Sequence, residues 1–219
     1  MSEPQGPPGG LRSLKKERTR QTIADTAIAL FLANGFEQVS VAEIAAAAEV
    51  SKPTLFRYFA SKEDLVLHRI ADHRGEAAGV VRARPAGMPP LEALRRHFLA
   101  RLTERDPVTG LCDHPQVIAF HRLIYGTPSL SSHLLDFLAA DTRALAEALA
   151  EAVDGPDELT PRLIAAQYIA MRQELTRTNW AALAAGLDAD RAHPRAAADA
   201  ERAFALLGTG AAALGYGPQ

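Results

Sequence analysis

Residues 40–65, SVAEIAAAAEVSKPTLFRYFASKEDL, decide how this chain folds, because three helix starts are written into them. Ser40 stands three residues before Glu43, a Ser-x-x-Glu box in which the hydroxyl takes a free backbone N–H and the carboxylate returns to the N–H of the serine. Val41, Ile44, Ala45 and Ala48 then fall on one apolar face. Glu49-Val50 interrupts, and Ser51 can cap a second short helix, KPTLFRYF, whose Pro53 lies in the first turn, where a missing N–H costs nothing. Ser61, with Asp64 three residues on, opens a further helix expected to reach about residue 73. Leu55 and Phe59 are four apart and are expected to face inward, so the polar side of KPTLFRYF points outward.

Upstream, residues 13–34 carry Ile23, Ala27, Leu30 and Phe31 at helical spacing, with Thr19, Thr22 and Asp25 off that stripe and Gly35 as a stop. One longer amphipathic helix followed by two short ones across a tight turn is the helix-turn-helix arrangement. The front of the first helix gathers Arg12, Lys15, Lys16, Arg18 and Arg20 against Glu17, where the helix dipole disfavours cations, which points to an anionic partner. Residues 1–12, rich in Pro and Gly, are expected to be a disordered tail.

Composition sets the limits. Alanine makes up about a fifth of the 219 residues, the strongest helix former, so helix is expected throughout. A net charge of −2 excludes a histone-like polycation, and any nucleic-acid surface must be local. The single cysteine, Cys112, allows no internal disulfide and no thiol set for zinc, and no apolar run approaches the ~20 residues of a membrane span, so a cytoplasmic protein without a membrane partner is expected. Cys112-Asp113-His114 looks chemical, but adjacent residues seldom converge on one substrate. The seven histidines show no metal-binding spacing, so no enzyme, metal or cofactor is expected.

Residues 19–65 resemble the DNA-binding domain of the tetracycline-repressor (TetR) family of transcriptional regulators. The resemblance implies an all-α protein with a helix-turn-helix domain at 13–75 and a helical effector-binding and dimerisation domain at 76–219. It also implies a ligand-responsive repressor that meets a palindromic double-stranded DNA operator as a homodimer. Matched position by position, Lys52 and Pro53 would face base edges, Thr54, Phe56, Tyr58 and Lys62 would grip phosphates, Ser40 would meet phosphate, and Thr19 and Arg20 would make contacts at the start of the first helix. The residues themselves agree: Ser51, Lys52, Pro53, Thr54, Arg57 and Tyr58 place hydroxyls, cations and an aromatic at the front of one helix. Two departures stand out. Phe56 replaces the common Tyr and loses its hydroxyl, and Glu49 replaces the frequent Gly of the turn, where a left-handed backbone costs about 1 kcal/mol.

Beyond residue 72 the pattern loosens through Gly75, Gly79, Pro85, Gly87, Pro89 and Pro90. Helices are expected at 91–105, 114–125, 129–153, 160–185 and 194–214. By the resemblance, the last two would form a four-helix bundle with a partner, using Leu163, Ile164, Tyr168, Met171 and Leu175 together with Ala196, Ala200, Ala203, Phe204, Leu207 and Ala211. An effector pocket would draw on Phe98, Phe120, Tyr125, Phe137, Met171 and Trp180, with His97, His121, Gln167 and Asn179 as orienting groups, for an apolar or aromatic small molecule. The competing reading is a helical ligand-binding or protein-interaction module that no longer binds DNA.

Overall fold

The computed structural model describes residues 10–71, 73–153, 157–212 and 215–217. Among them no strand occurs, and the helices follow as α1 Gly10–Asn34, α2 Val41–Ala47, α3 Lys52–Tyr58, α4 Lys62–Ala71, α5 Glu76–Arg82, α6 Pro90–Thr103, α7 Pro115–Gly126, α8 Pro128–Ala152, α9 Leu159–Ala184 and α10 Ala189–Ala211. A 3₁₀ turn, Pro107–Thr109, precedes α7. None of these helices is long and apolar enough to cross a membrane.

The chain divides into two units, residues 1–69 with 123–131, and 70–122 with 132–219. In the first, the three serine signals behave as written. The Ser40 hydroxyl accepts the Glu43 N–H at 3.2 Å while Glu43 accepts the Ser40 N–H at 2.7 Å. Ser51 accepts the Thr54 N–H at 3.2 Å, and Ser61 and Asp64 exchange bonds of 3.1 and 3.0 Å. Each cap satisfies backbone donors that a short helix would otherwise leave bare, each contributing about 1 kcal/mol. The turn after α2 is a Schellman motif: the N–H of Val50 donates to Ala45 O at 2.9 Å and that of Glu49 to Ala46 O at 3.1 Å, with Glu49 at φ 55. The left-handed residue is thus a glutamate.

Ile23, Ala24, Ala27, Ile28 and Phe31 of α1 are buried, as are Ile44 and Ala45 of α2, Leu55 and Phe59, and Leu65 and Val66 of α4. The stripe on α2 is centred on Ile44 and Ala45; Val41 and Ala48, expected on the same face, are only half-buried. An Arg69–Asp25 pair at 2.9 Å ties α4 to α1.

The second unit is built around Leu94, Phe98 and Leu102 of α6, Leu145 and Leu149 of α8, Ile164, Ala165 and Tyr168 of α9, and Ala196, Ala200 and Phe204 of α10. Phe204 is the hinge of this packing, its ring 6.2 Å from Phe98 and 6.1 Å from Tyr168. Alanines at 192, 196 and 200 let α10 approach its neighbours closely. The loop before α7 is pinned to α9: Thr176 donates to Val108 O and Asn179 to Thr109 O, both at 2.9 Å, and a Cβ on Gly110, at φ 74, would lie 2.0 Å from Thr176 O.

Several expectations need correction. α1 starts at Gly10, so residues 10–12 are helical rather than tail; the tail expected at 1–9 lies outside the described residues. α5 was hidden by its composition: seven residues with Gly79 inside, held by burial of Ala77, Ala78 and Val81 and by a two-point Arg82–Glu151 pair at 2.7 and 2.9 Å. α10 begins at Ala189, five residues before Pro194, because Asp188 accepts the N–H groups of Asp190 and Arg191. Pro194 sits inside the helix rather than at its start. The faces expected to meet a partner are largely spent inside the unit: Ile164, Tyr168, Leu175, Ala196, Ala200, Phe204, Leu207 and Ala211 are buried. Leu163 on α9 and Leu206 on α10 remain exposed.

Candidate DNA-binding surface

The geometry of α3 follows from what lies behind it. Leu55 is 0 % and Phe59 2 % exposed, which fixes the rotation of a seven-residue helix. Ser51, Lys52, Pro53, Phe56 and Arg57 are consequently exposed, and Thr54 and Tyr58 are half-buried. Phe56 is 50 % exposed, an uncommon setting for a large aromatic that has no core role. The Arg57 guanidinium lies 5.5 Å from the Tyr58 ring centroid, so cation and ring form one ledge. The Ser51 and Thr54 hydroxyls are 2.8 Å apart at the front of α3. Ser40, at the front of α2, is exposed, and its backbone N–H and hydroxyl hold the Glu43 carboxyl below its ordinary range.

The remaining candidates are engaged by the protein. The Lys62 ammonium donates to the carbonyl of Phe36 and lies 4.3 Å from the centroid of that ring and 5.5 Å from that of Phe31. Lys62 therefore fastens the turn between α1 and α2. The Arg20 guanidinium lies 5.4 Å from the Phe59 ring, linking α1 to the end of α3. The Thr19 hydroxyl donates to Lys15 O at 2.9 Å, along its own helix. Lys15, Lys16 and Arg18 are exposed on the front half of α1.

The effector candidates do not gather at one place. His97 and Phe98 line a narrow cleft with Glu76, Arg101, Tyr168 and Arg172, four residues that sequence reading missed because no linear spacing joins them. Gln167 is exposed, and the Asn179 amide is spent on Thr109 O. The Trp180 indole donates to Ile118 O at 3.1 Å, and His121, whose pKa burial lowers, faces Val117 O at 3.1 Å. Phe120 has its ring 6.2 Å from that of His121, Phe137 carries the Arg74 guanidinium at 4.3 Å, and Met171 packs beside the core. Tyr125 falls among residues 123–131, which group with the first unit. Among the described residues no cluster of His, Cys, Asp and Glu could hold a metal ion.

A helix-turn-helix whose second short helix is exposed along its polar side, carried on a chain whose described residues form helices and no strand, defines a DNA-binding regulator of transcription. Comparison with known proteins makes this specific. The bacterial regulatory proteins of the tetR family match residues 23–68. The transcriptional regulator TcmR of Streptomyces glaucescens is 37 % identical over 179 residues, 80 % of this chain and 78 % of that one. The transcriptional repressor KstR of Rhodococcus jostii is 34 % identical over 102 residues, 43 % of this chain and 44 % of its own. Among solved structures, NalD of Pseudomonas aeruginosa, described as the secondary repressor of the MexAB-OprM multidrug efflux pump, shares the fold with a TM-score of 0.57 at 20 % identity, over 86 % of this chain and 96 % of that one. The chain belongs to the TetR family of transcriptional regulators.

Proposed function

We propose that this regulator is a ligand-responsive repressor that binds a pseudo-palindromic operator as a homodimer, with one α3 from each subunit in the major groove. The observation that carries the reading is the outer side of α3, where Lys52 and Pro53 are exposed at the front and Leu55 and Phe59 are buried behind. Lys52 meets a base edge, its ammonium suited to the O6 and N7 acceptors of guanine. Ser40, Ser51, Thr54, Phe56, Arg57 and Tyr58 lie along phosphates, Phe56 through its ring alone. Lys62, Arg20 and Thr19 support them by fixing α1 and the turn before α2. A two-fold dimer presents two such helices, and an operator with half-sites about 34–36 Å apart, or a multiple of that, places both on one face of the duplex.

Ligand response follows from linkage. An effector that prefers a second-unit conformation mismatched to this spacing lowers operator affinity by its differential binding energy, about 1–3 kcal/mol. The test is selection of DNA from a random pool by the purified protein at two salt concentrations. An enriched inverted repeat is expected, with affinity falling steeply as salt rises. Absence of enrichment at low salt contradicts the reading and favours an interaction module.

A further inference from the structure

Where the chain enters the second unit, the turn between α4 and α5 is closed by an ionic cluster. The turn itself is tight: the His73 N–H donates to Ile70 O at 3.1 Å and the Glu76 N–H to His73 O at 3.2 Å. Gly75, at φ 72, donates its N–H to Asp141 of α8 at 3.0 Å. Glu76 is the centre of the cluster. Its Oε2 accepts from His73 Nδ1 at 3.1 Å, and its Oε1 accepts from His97 Nε2 at 3.0 Å and Arg101 Nη2 at 2.6 Å, both on α6. Arg101 also reaches Asp106 at 2.7 Å, and Arg172 of α9 stands 3.4 Å from Asp141.

The charges that face this turn do not balance without a proton. The Glu76, Asp106 and Asp141 side chains are 19, 11 and 7 % exposed, and the guanidinium groups of Arg101 and Arg172 are set among them. At the rim, exposed Glu104 lies 3.7 Å from Arg101 and exposed Arg74 lies over the Phe137 ring, one of each sign. Tyr168, which also faces Glu76, is a phenol that burial pushes up, so it stays neutral. Among the described residues, three sheltered carboxylates therefore meet two cations, and such an excess of one sign favours the uptake of a proton. An imidazole is the group that takes it near neutral pH. His73 is placed to do so: its bond to Glu76, with the charges of Glu76 and Asp106, raises it above 6.5 against the opposing effects of burial and Arg101.

We propose that His73 is a proton-operated clasp, whose imidazolium locks the turn between α4 and α5 onto Glu76 and whose neutral ring lets that turn loosen. With the proton, the bond joins two full charges and is roughly twice as strong as its neutral counterpart. A group raised on folding stabilises fully below its unfolded value of 6.5, and that contribution is lost as pH rises through the raised value. The clasp therefore closes in mild acid and slackens in mild alkali. Its service as an input to operator binding rests on the function proposed above, but the clasp itself does not.

The test is hydrogen–deuterium exchange of the full chain at about pH 6 and about pH 8, corrected for the pH dependence of intrinsic exchange and read on peptides that cover the turn. Protection there is expected to be roughly five-fold higher at the lower pH. Glutamine donates one neutral bond, as an uncharged imidazole does, so His73→Gln is expected to show the lower protection at both pH values, whereas His97→Gln keeps the difference. Equal protection of the wild type at the two pH values overturns the clasp. A difference that persists in His73→Gln or vanishes in His97→Gln overturns its assignment to His73. The wild-type comparison carries the test even if a variant fails to fold. Operator affinity at the same two pH values separates the two readings. A pH dependence in the wild type that His73→Gln lacks supports the clasp as an input to DNA binding, and an identical dependence in both proteins sinks that role while leaving the clasp. No operator binding at either pH sinks the function proposed above and leaves the exchange result to decide the clasp.

Discussion

Glu49 carries a cost that its neighbours cover. Its φ of 55 puts a branched backbone position where glycine is at ease, and the two Schellman bonds from Glu49 and Val50 hold it there. Glu49→Gly is expected to raise stability by up to about 1 kcal/mol, because relief of the left-handed strain exceeds the entropy that glycine adds to the unfolded chain. Denaturant midpoints of the two proteins check this, and a lower midpoint for Glu49→Gly would contradict it. The departure was legible in the sequence because the expected glycine was missing from a turn whose other residues were present. Lys62 was only half legible: a cation near the start of α4 was visible, but its fastening to the Phe36 carbonyl depends on a turn whose path no local signal announces.

At the scale of elements, the helices with serine caps could be read to within about two residues at their starts, as element boundaries allow at best. α2, α3 and α4 each had a side chain in sequence that named its first free N–H. α5 had none, and its N-cap is Gly75 at φ 72 without a side-chain bond, so only tertiary burial identifies it. α10 was misread because Pro194 imitates a first-turn proline while the true cap, Asp188, lies six residues earlier. α6 holds an ionic network that sequence could hint at only through spacing. Glu92 accepts from Arg95 at 2.8 Å and from Arg96 at 2.6 Å, and Arg95 reaches Glu201 on α10 at 2.6 Å. The Arg95 bond, aided by Arg96, lowers the Glu92 carboxyl from 4.5 to about 2. A carboxyl lowered on folding stabilises fully above its unfolded value, and that contribution fades as pH falls from about 4.5 towards about 2. Glu92→Gln is therefore expected to be less stable than the wild type at pH 7, with the gap narrowing over that window. Thermal melts across pH check it, and a gap that stays constant down to pH 2 would remove the pair from the stability account.

For the whole molecule, the division of labour in the family makes the surface of α9 and α10 the place to look for a partner copy. With Tyr168, Phe204 and their neighbours committed to the core, Leu163 and Leu206 are, together with Leu159 at the start of α9, the exposed large apolar groups on these helices that a second subunit would cover. The double variant Leu163→Glu, Leu206→Glu is expected to keep its helical content and to sediment as a monomer, since four carboxylates across a two-fold axis repel and cannot be desolvated. Unchanged sedimentation would move the interface elsewhere. The residues that line the cleft of the second unit were the least legible part of the chain, for a plain reason. Glu76, Arg101, Tyr168 and Arg172 come from three helices, and nothing in a linear pattern brings them together.

On the proposed function, the exposed front of α3 reads sequence rather than merely charge. Repeating the random-pool selection with Lys52→Ala tests it most directly. The inverted repeat is expected to survive while preference relaxes at one position in each half-site, worth about 1–3 kcal/mol of discrimination. A motif identical to that of the wild type, or a uniform loss of affinity for every sequence, would contradict it.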